Sequence, residues 1–270
     1  MADTCLTPVQ PVRPAAGYIG GKRNLAGKIV PLIQSIPHEC YAEPFVGMGG
    51  IFFRRTLVPK SEVINDASRD VATFFRILQR HFPQFMEVLR FQIASRAEFE
   101  RLMAVDPDTL TDLERASRFL YLQRLSFGGK VAGRTFGVDP KRGGRFNLNL
   151  LAQVLADVHE RLAGIVIECL DFSAFIDRYD RPYTLFYVDS PYVGSEGYYG
   201  ADLFKPADLV RLADQLKGIK GRFVASNIDC PEVRAAFDGC EFHEADTTYT
   251  TGTAGVNKPQ RELIIVGGGR

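Results

Sequence analysis

Residues 183–188 read YTLFYV, a run of aromatic, aliphatic and β-branched side chains with no polar alternation. A strand of this kind is buried on both faces, and such strands occur in parallel sheets covered by helices. The run stops at Asp189-Ser190-Pro191-Tyr192 and passes into a glycine-containing stretch, VGSEGYYG. A turn needs only the proline and the glycines. The carboxylate and the aromatic ring, three residues apart, call for another explanation. A parallel sheet offers one, because ligands bind outside the carboxyl ends of its strands.

Other segments fit the same sheet. CYAEPFVGMGG (40–50) reads as a short strand breaking into a glycine-rich turn, and IFFRRTL as a helix beyond it. EVINDAS (62–68) reads as a second strand, ending at Asp66. IVIECLDF (165–172), GRFVASN (221–227) and RELIIVGG (261–268) supply further strands, and KPADLVRLADQLKGI lies between two of them as a helix. NLAGKIVPLIQSI (24–36) has apolar residues at helical spacing. Strand, glycine turn, helix, strand ending in an acid is the start of a doubly wound α/β sheet. Residues 69–125 change character and carry helical periodicity in three stretches, with Thr111-Asp112 as an N-cap region. Residues 126–149, rich in glycine and basic side chains, read as a β-hairpin or a mobile loop, and LLAQVLADVHERLAG returns to helix. The expected organisation is an N-terminal arm (1–17), an α/β domain (18–70 and 160–270) and an inserted segment (71–159). The arm holds three prolines without periodicity, so a loose conformation is expected.

Composition narrows the function classes. No apolar run approaches the roughly 20 residues of a membrane span, and the N-terminus lacks a basic start followed by an apolar stretch. Five cysteines, an odd number with no C-x-x-C pair, argue against a disulfide framework or zinc site and fit a reducing cytoplasm. The four histidines show no metal-ligand spacing, so no metal is expected. Net charge is +1, but it is unevenly spread: Arg115 to Arg145 holds eight basic residues against one acid, Asp139. That asymmetry suggests a local polyanion contact; a solvated loop with spare charge is the plainer reading.

Glu43, Asp66, Asp171 and Asp189 all fall at strand ends. A single such acid is more often a helix cap or a solvating group; four around one glycine turn point to a ligand site. The turn EPFVGMGG is neither G-x-G-x-x-G nor a P-loop, and no G-K-[ST] occurs, so phosphate cradling is unsupported. An acid near the end of the second strand suits a ribose hydroxyl pair.

These residues converge on a family. The chain resembles the Dam-type (alpha-group) DNA adenine-N6 methyltransferases. YIGGK (18–22) is similar to their aromatic-x-GGK segment, EPFVGMGG (43–50) to their E-P-F-x-G-x-G turn, and NDAS (65–68) to the segment with their ribose-binding acid. YLQRLSFGG (121–129) resembles the Y-L-N-R segment heading their recognition hairpin, and GGRFNLN (143–149) its close. CLDF (169–172) is similar to their acid-Phe, DSPY (189–192) to D-P-P-Y, and SNID (226–229) and NKPQRELIIV also fit. The resemblance runs from Tyr18 to Val266 in the family's order.

The resemblance implies a Rossmann-like sheet with an inserted helical and β-hairpin target-recognition region, S-adenosylmethionine as methyl donor, and adenine N6 in double-stranded DNA as acceptor. By carry-over, Tyr18, Lys22, Glu43, Phe45, Gly47, Asp66, Asp171, Phe172 and Asp189 contact the cofactor. Asp189, Ser190, Pro191 and Tyr192 form the catalytic segment. The exocyclic amine of adenine is a poor nucleophile because its lone pair is delocalised into the ring. Two acceptors, the Asp189 carboxylate and the carbonyl of residue 190, would favour a localised lone pair, so catalysis is positioning plus preorganised electrostatics. Tyr192 offers a face for a base flipped from the stack. Arg124 is the expected guanine reader, and Lys130, Arg134, Lys141, Arg142 and Arg145 are expected phosphate contacts.

Two departures stand out. Ser190 replaces the usual proline; it keeps the carbonyl, loses the fixed φ and adds an N–H. Gln123 replaces the usual asparagine, and the hairpin diverges in sequence and length, so the recognition site is open. VGSEGYYGADLF reads as a flexible lid or an exposed loop. A monomer or weak dimer in a bacterial cytoplasm, or phage-encoded there, is expected, in an orphan or restriction-modification role. Two alternatives stay open: a catalytically impaired DNA-binding relic, and a methyltransferase acting on RNA or protein.

Overall fold

The computed structural model describes residues 6–137, 145–192, 204–249 and 258–269. Its centre is a sheet of strands β2 (Cys40–Glu43), β4 (Ser61–Asn65), β5 (Val166–Glu168), β6 (Thr184–Val188), β7 (Arg222–Ile228), β8 (Glu241–Tyr249) and β9 (Lys258–Gly268), in the order β5-β4-β2-β6-β7-β9-β8. Pairing is parallel from β5 to β7; β9 runs antiparallel to both β7 and β8. The architecture is Rossmann-like α/β. The chain moves outward from β2 through β4 to β5, then returns to the centre at β6. The topological switch point therefore lies between β2 and β6, and their carboxyl ends open one crevice.

Alternation along the strands splits the interior into two layers. Leu185 and Tyr187 of β6 face one cluster; Phe186 and Val188 face the other. On the first face pack α1 (Ala26–Ser35) and the helices between β4 and β5: α2 (Arg69–Arg80), α3 (Phe82–Leu89), α4 (Arg96–Ala104), α5 (Asp112–Leu125) and α6 (Leu148–Arg161). The second face is covered by α7 (Phe172–Tyr179), α8 (Pro206–Gly218) and α9 (Pro231–Ala236). Helix α2 buries Val71, Phe74, Phe75 and Leu78, the spacing of one helical face. Helix α5 starts at a capping box: Thr111 Oγ1 accepts from the Glu114 N–H, and the Glu114 carboxylate accepts from the Thr111 N–H at 3.0 Å. The inserted helices share one continuous core with the sheet.

Several expectations change. IFFRRTL forms only one 3₁₀ turn, Phe52–Arg54, because Arg55 is already extended. The expected strand 165–172 is Val166–Glu168, with Asp171 capping α7. The arm is not loose: β1 (Thr7–Pro8) pairs antiparallel with β3 (Leu57–Val58), Val12 N donates to Phe53 O at 2.8 Å, and Ala15 and Ala16 are buried. In the expected hairpin, Ser126 bridges Phe136, and Gly137 N donates to Leu125 O at 2.7 Å. Residues 138–144 lie outside the described residues, and with them Lys141 and Arg142. So do residues 193–203, nearly all of the expected lid. Among the described residues no helix is long and apolar enough to cross a membrane.

Candidate active site

The glycine turn leaving β2 is braced from β4. Gly47 has φ +51°, and its N–H donates to Asp66 Oδ2 at 2.9 Å; Ser68 N donates to Asp66 Oδ1 at 2.9 Å. A Cβ at Gly47 would stand 2.9 Å from the Tyr18 ring, so only glycine lets that ring close over the turn. Asn65 Nδ2 donates to Pro44 O at 2.9 Å and Leu170 O at 3.0 Å, and its Oδ1 accepts from Leu170 N at 2.8 Å. One buried amide thus ties together the ends of β2, β4 and β5.

Between this turn and the end of β6 lies a cavity of about 300 Å³, lined by Tyr18, Lys22, Glu43, Phe45, Gly47, Asp66 and Asp189 among others. Its size and its place at the switch point are those of a small-molecule site. Its acids are held in a low-dielectric floor. Burial pushes Asp66 up to about 6, and pushes Glu43, which accepts from Tyr41 Oη at 2.8 Å, up to about 8. Tyr41 in turn lies under the buried Arg55 guanidinium, 3.5 Å from its ring centroid.

Asp189 sits in a different arrangement. Its Oδ1 pairs with Lys22 Nζ at 2.7 Å and accepts from Ser226 Oγ at 3.0 Å, and Ser226 Oγ shares a hydrogen bond with Tyr187 Oη at 2.9 Å. Among the described residues no hydrogen bond or ion pair engages its Oδ2, and Asp189 lines the cavity. Burial raises the Asp189 pKa and Lys22 opposes the rise. Lys22 Nζ also donates to Gly20 O at 2.7 Å and stands 4.5 Å from the Tyr192 ring centroid. Tyr192 Oη donates to Glu262 Oε2 at 2.5 Å; Glu262 is fully buried in β9, and its Oε1 has no hydrogen-bond partner among the described residues. Ser190 Oγ accepts from Asn227 Nδ2 at 3.3 Å, a side-chain pin at the position of the missing proline.

Phe45 meets Phe172 at 5.6 Å and Phe204 at 5.8 Å between ring centroids, making an aromatic wall beside the turn. Asp171 does not line the cavity: its Oδ1 caps α7 through Ser173 N at 2.9 Å, and its Oδ2 accepts from Arg211 Nη2 at 3.2 Å.

The recognition candidates are placed unequally. Arg124 lines the cavity, but its guanidinium donates to Arg145 O at 2.7 Å and Ala15 O at 3.2 Å. Gln123 Nε2 donates to Gly17 O at 2.9 Å and Gly129 O at 2.7 Å. Together they clasp the inserted segment to the chain just before Tyr18. Arg134 turns inward, its Nη2 donating to Gln123 Oε1 at 3.1 Å, and burial lowers its pKa to about 10. Arg145 Nη1 donates to Ser126 O at 3.3 Å, and Lys130 is half-buried. Arg115 pairs with Asp70 at 2.5 Å and Asp108 at 2.7 Å, and Arg118 also faces Asp70. The basic run is therefore partly neutralised from within, which its linear charge count hides.

Sequence reading missed Tyr41, Asn65, Ser226, Asn227 and Glu262 as site residues. A signal existed for Glu262, a lone acid in an apolar strand. Tyr41 offered none, since a tyrosine in a buried strand reads as core.

A family model described as D12 class N6 adenine-specific DNA methyltransferase matches residues 18–251. A type II methyltransferase of Lactococcus lactis subsp. cremoris is 27% identical, the match covering 94% of this chain and 95% of that relative. A type II methyltransferase of Paramecium bursaria Chlorella virus NC1A is 21% identical over 88% of this chain and 91% of its own. The DNA adenine methylase of Salmonella typhi is 22% identical over 89% and 92%.

Proposed function

The chain belongs to the D12 class N6 adenine-specific DNA methyltransferases, and on that premise we propose that it methylates adenine within a short site in duplex DNA, using S-adenosylmethionine at the switch-point cavity. The donor set suits that cofactor. Asp66 stands where the second strand ends, as a ribose partner would. Glu43 is a buried carboxyl with hydrogen-bonding capacity, and Tyr18 and Phe45 give flat apolar walls. When bound, S-adenosylmethionine supplies an electrophilic methyl on a sulfonium and departs as a thioether.

The observation that carries the reading is the divided Asp189 carboxylate. Lys22 and Ser226 both hold Oδ1, no described residue bonds Oδ2, and Asp189 lines the cavity. In that role Oδ2 and the Ser190 carbonyl accept the two N–H bonds of the adenine amine, which localises the nitrogen lone pair for attack. After the N–C bond forms, the extra proton on nitrogen passes to the Asp189 carboxylate, whose burial favours taking it. Tyr192 holds the flipped base by stacking, with Glu262 fixing the ring through its hydroxyl. Asn227 restrains Ser190 where the proline ring is absent.

Treating unmethylated plasmid with the protein and S-adenosylmethionine, then with a nuclease that cuts only at N6-methyladenine sites, tests the proposal. Cleavage is expected. DNA binding with no N6-methyladenine in the hydrolysed plasmid would instead mark a relic, and transfer only to RNA or protein would replace the substrate.

A further inference from the structure

The cavity floor is acidic, yet its lining also carries Arg13, Lys22, Arg23, Arg54 and Arg124. Lys22 is neutralised by Asp189. The other floor acids are engaged with their own partners, Glu43 with Tyr41 and Asp66 with two backbone N–H groups. Among the described residues, Arg13, Arg23 and Arg54 have no carboxylate partner. Arg13 and Arg23 are exposed and Arg54 is half-buried, its Nη1 bonded to the carbonyl of Gly50.

These cations form two mutually repelling groups. Arg54 is depressed by burial and then by Arg23. Arg124 is depressed by burial and then by Arg13 and Arg145. Like charges gathered without counter-charge cost stability, so the arrangement suits an anion from outside the chain. A single carboxylate could satisfy one group and leave the other. A run of phosphates satisfies both, and the second group adjoins the basic segment that ends at Arg145.

We propose that Arg13, Arg23 and Arg54 bind the DNA backbone at the mouth of the cavity, extending the phosphate track from the inserted segment onto the N-terminal arm and the turn after the glycine loop. This rests on the DNA-methyltransferase reading above. The arm and loop then grip the strand that delivers the target base. The contacts are to phosphate, so they strengthen binding to any sequence alike.

The test is binding of a fluorescent duplex, without cofactor, across a salt series for wild type, Arg13→Gln, Arg23→Gln and Arg23→Gln/Arg54→Gln. Each lost phosphate contact lowers the slope of log affinity against log salt by about 0.9, so the double variant loses about 1.8. The loss is expected equally on cognate and random duplex. The melting temperatures of Arg13→Gln and Arg23→Gln, at two exposed positions, are expected to match wild type, which shows that the fold is intact. An unchanged slope overturns the proposal, and if cofactor affinity then falls, the arginines serve the cofactor carboxylate instead. If Arg54→Gln fails to fold, Arg13→Gln/Arg23→Gln, at two exposed positions, carries the same test. Failure of the wild type to bind duplex at all would strike the DNA reading itself.

Discussion

At the scale of single residues, the Lys22–Asp189 pair organises the site. Lys22 is almost fully buried, and the Asp189 side chain is 20% exposed. Removing one partner leaves a buried charge alone, which costs about 3–5 kcal/mol, far more than a surface pair. Asp189→Asn and Lys22→Met are each expected to destabilise by about 3 kcal/mol. Their combination should cost clearly less than the sum. Urea unfolding of the four proteins closes this cycle, and strict additivity would show that the pair is not coupled. Glu43 gives a second residue-level prediction. Its folded pKa is raised from 4.5 to about 8, so the folded state holds a proton there that the unfolded chain has released. The stability this contributes is full below pH 4.5 and is lost as pH rises to about 8. Relative to Glu43→Gln, wild type should lose melting temperature between pH 5 and about 8.5; parallel melting curves would refute the raised pKa.

At the scale of elements, the β2 turn, the start of α2 and the 18–22 segment form one unit. Ala at Gly47 would put a left-handed φ on an L side chain, at about 1–2 kcal/mol, and press its Cβ against Tyr18. Gly47→Ala should weaken S-adenosylmethionine binding more than it lowers the melting point, as read by calorimetry; an unchanged affinity would remove Tyr18 and the turn from the cofactor site. The strands and helices that carry motifs were legible because their signals are local: an unbroken apolar run for β6, helical periodicity for α2, a Thr-Asp N-cap region for α5. The expected helix after the glycine turn failed because its apolar residues fill the core from a single 3₁₀ turn. The antiparallel insertion of β9 between β7 and β8 is a long-range pairing, with Ala225 opposite Ile265 and Phe242 also opposite Ile265, and no local pattern encodes it. It is also what carries Glu262 to Tyr192.

At the scale of the whole molecule, the site is assembled from chain segments far apart in sequence. Residues 18–22, 43–50, 65–68, 189–192, 226–227 and 262 meet only because the order β4-β2-β6-β7-β9 lays their ends side by side. Motif reading singled out residues in 18–22, 43–50, 66 and 189–192 but not Asn65, Ser226, Asn227 or Glu262, and it could not pair them: that Lys22 faces Asp189, or that Arg115 and Arg118 are turned inward against Asp70, follows from packing. The inserted helices share the sheet's core, and Gln123 and Arg124 fasten them to the backbone of Gly17 and Ala15; on the proposed reading this joins recognition mechanically to chemistry. The most direct test of the central claim is transfer of labelled methyl from S-adenosylmethionine to unmethylated duplex DNA by wild type and Asp189→Asn, with the modified base identified and mapped. N6-methyladenine in one short motif, falling by about 10²–10³-fold or more in the variant, is the predicted result. Near-equal transfer by the two proteins, or a methylated base other than adenine, would contradict it.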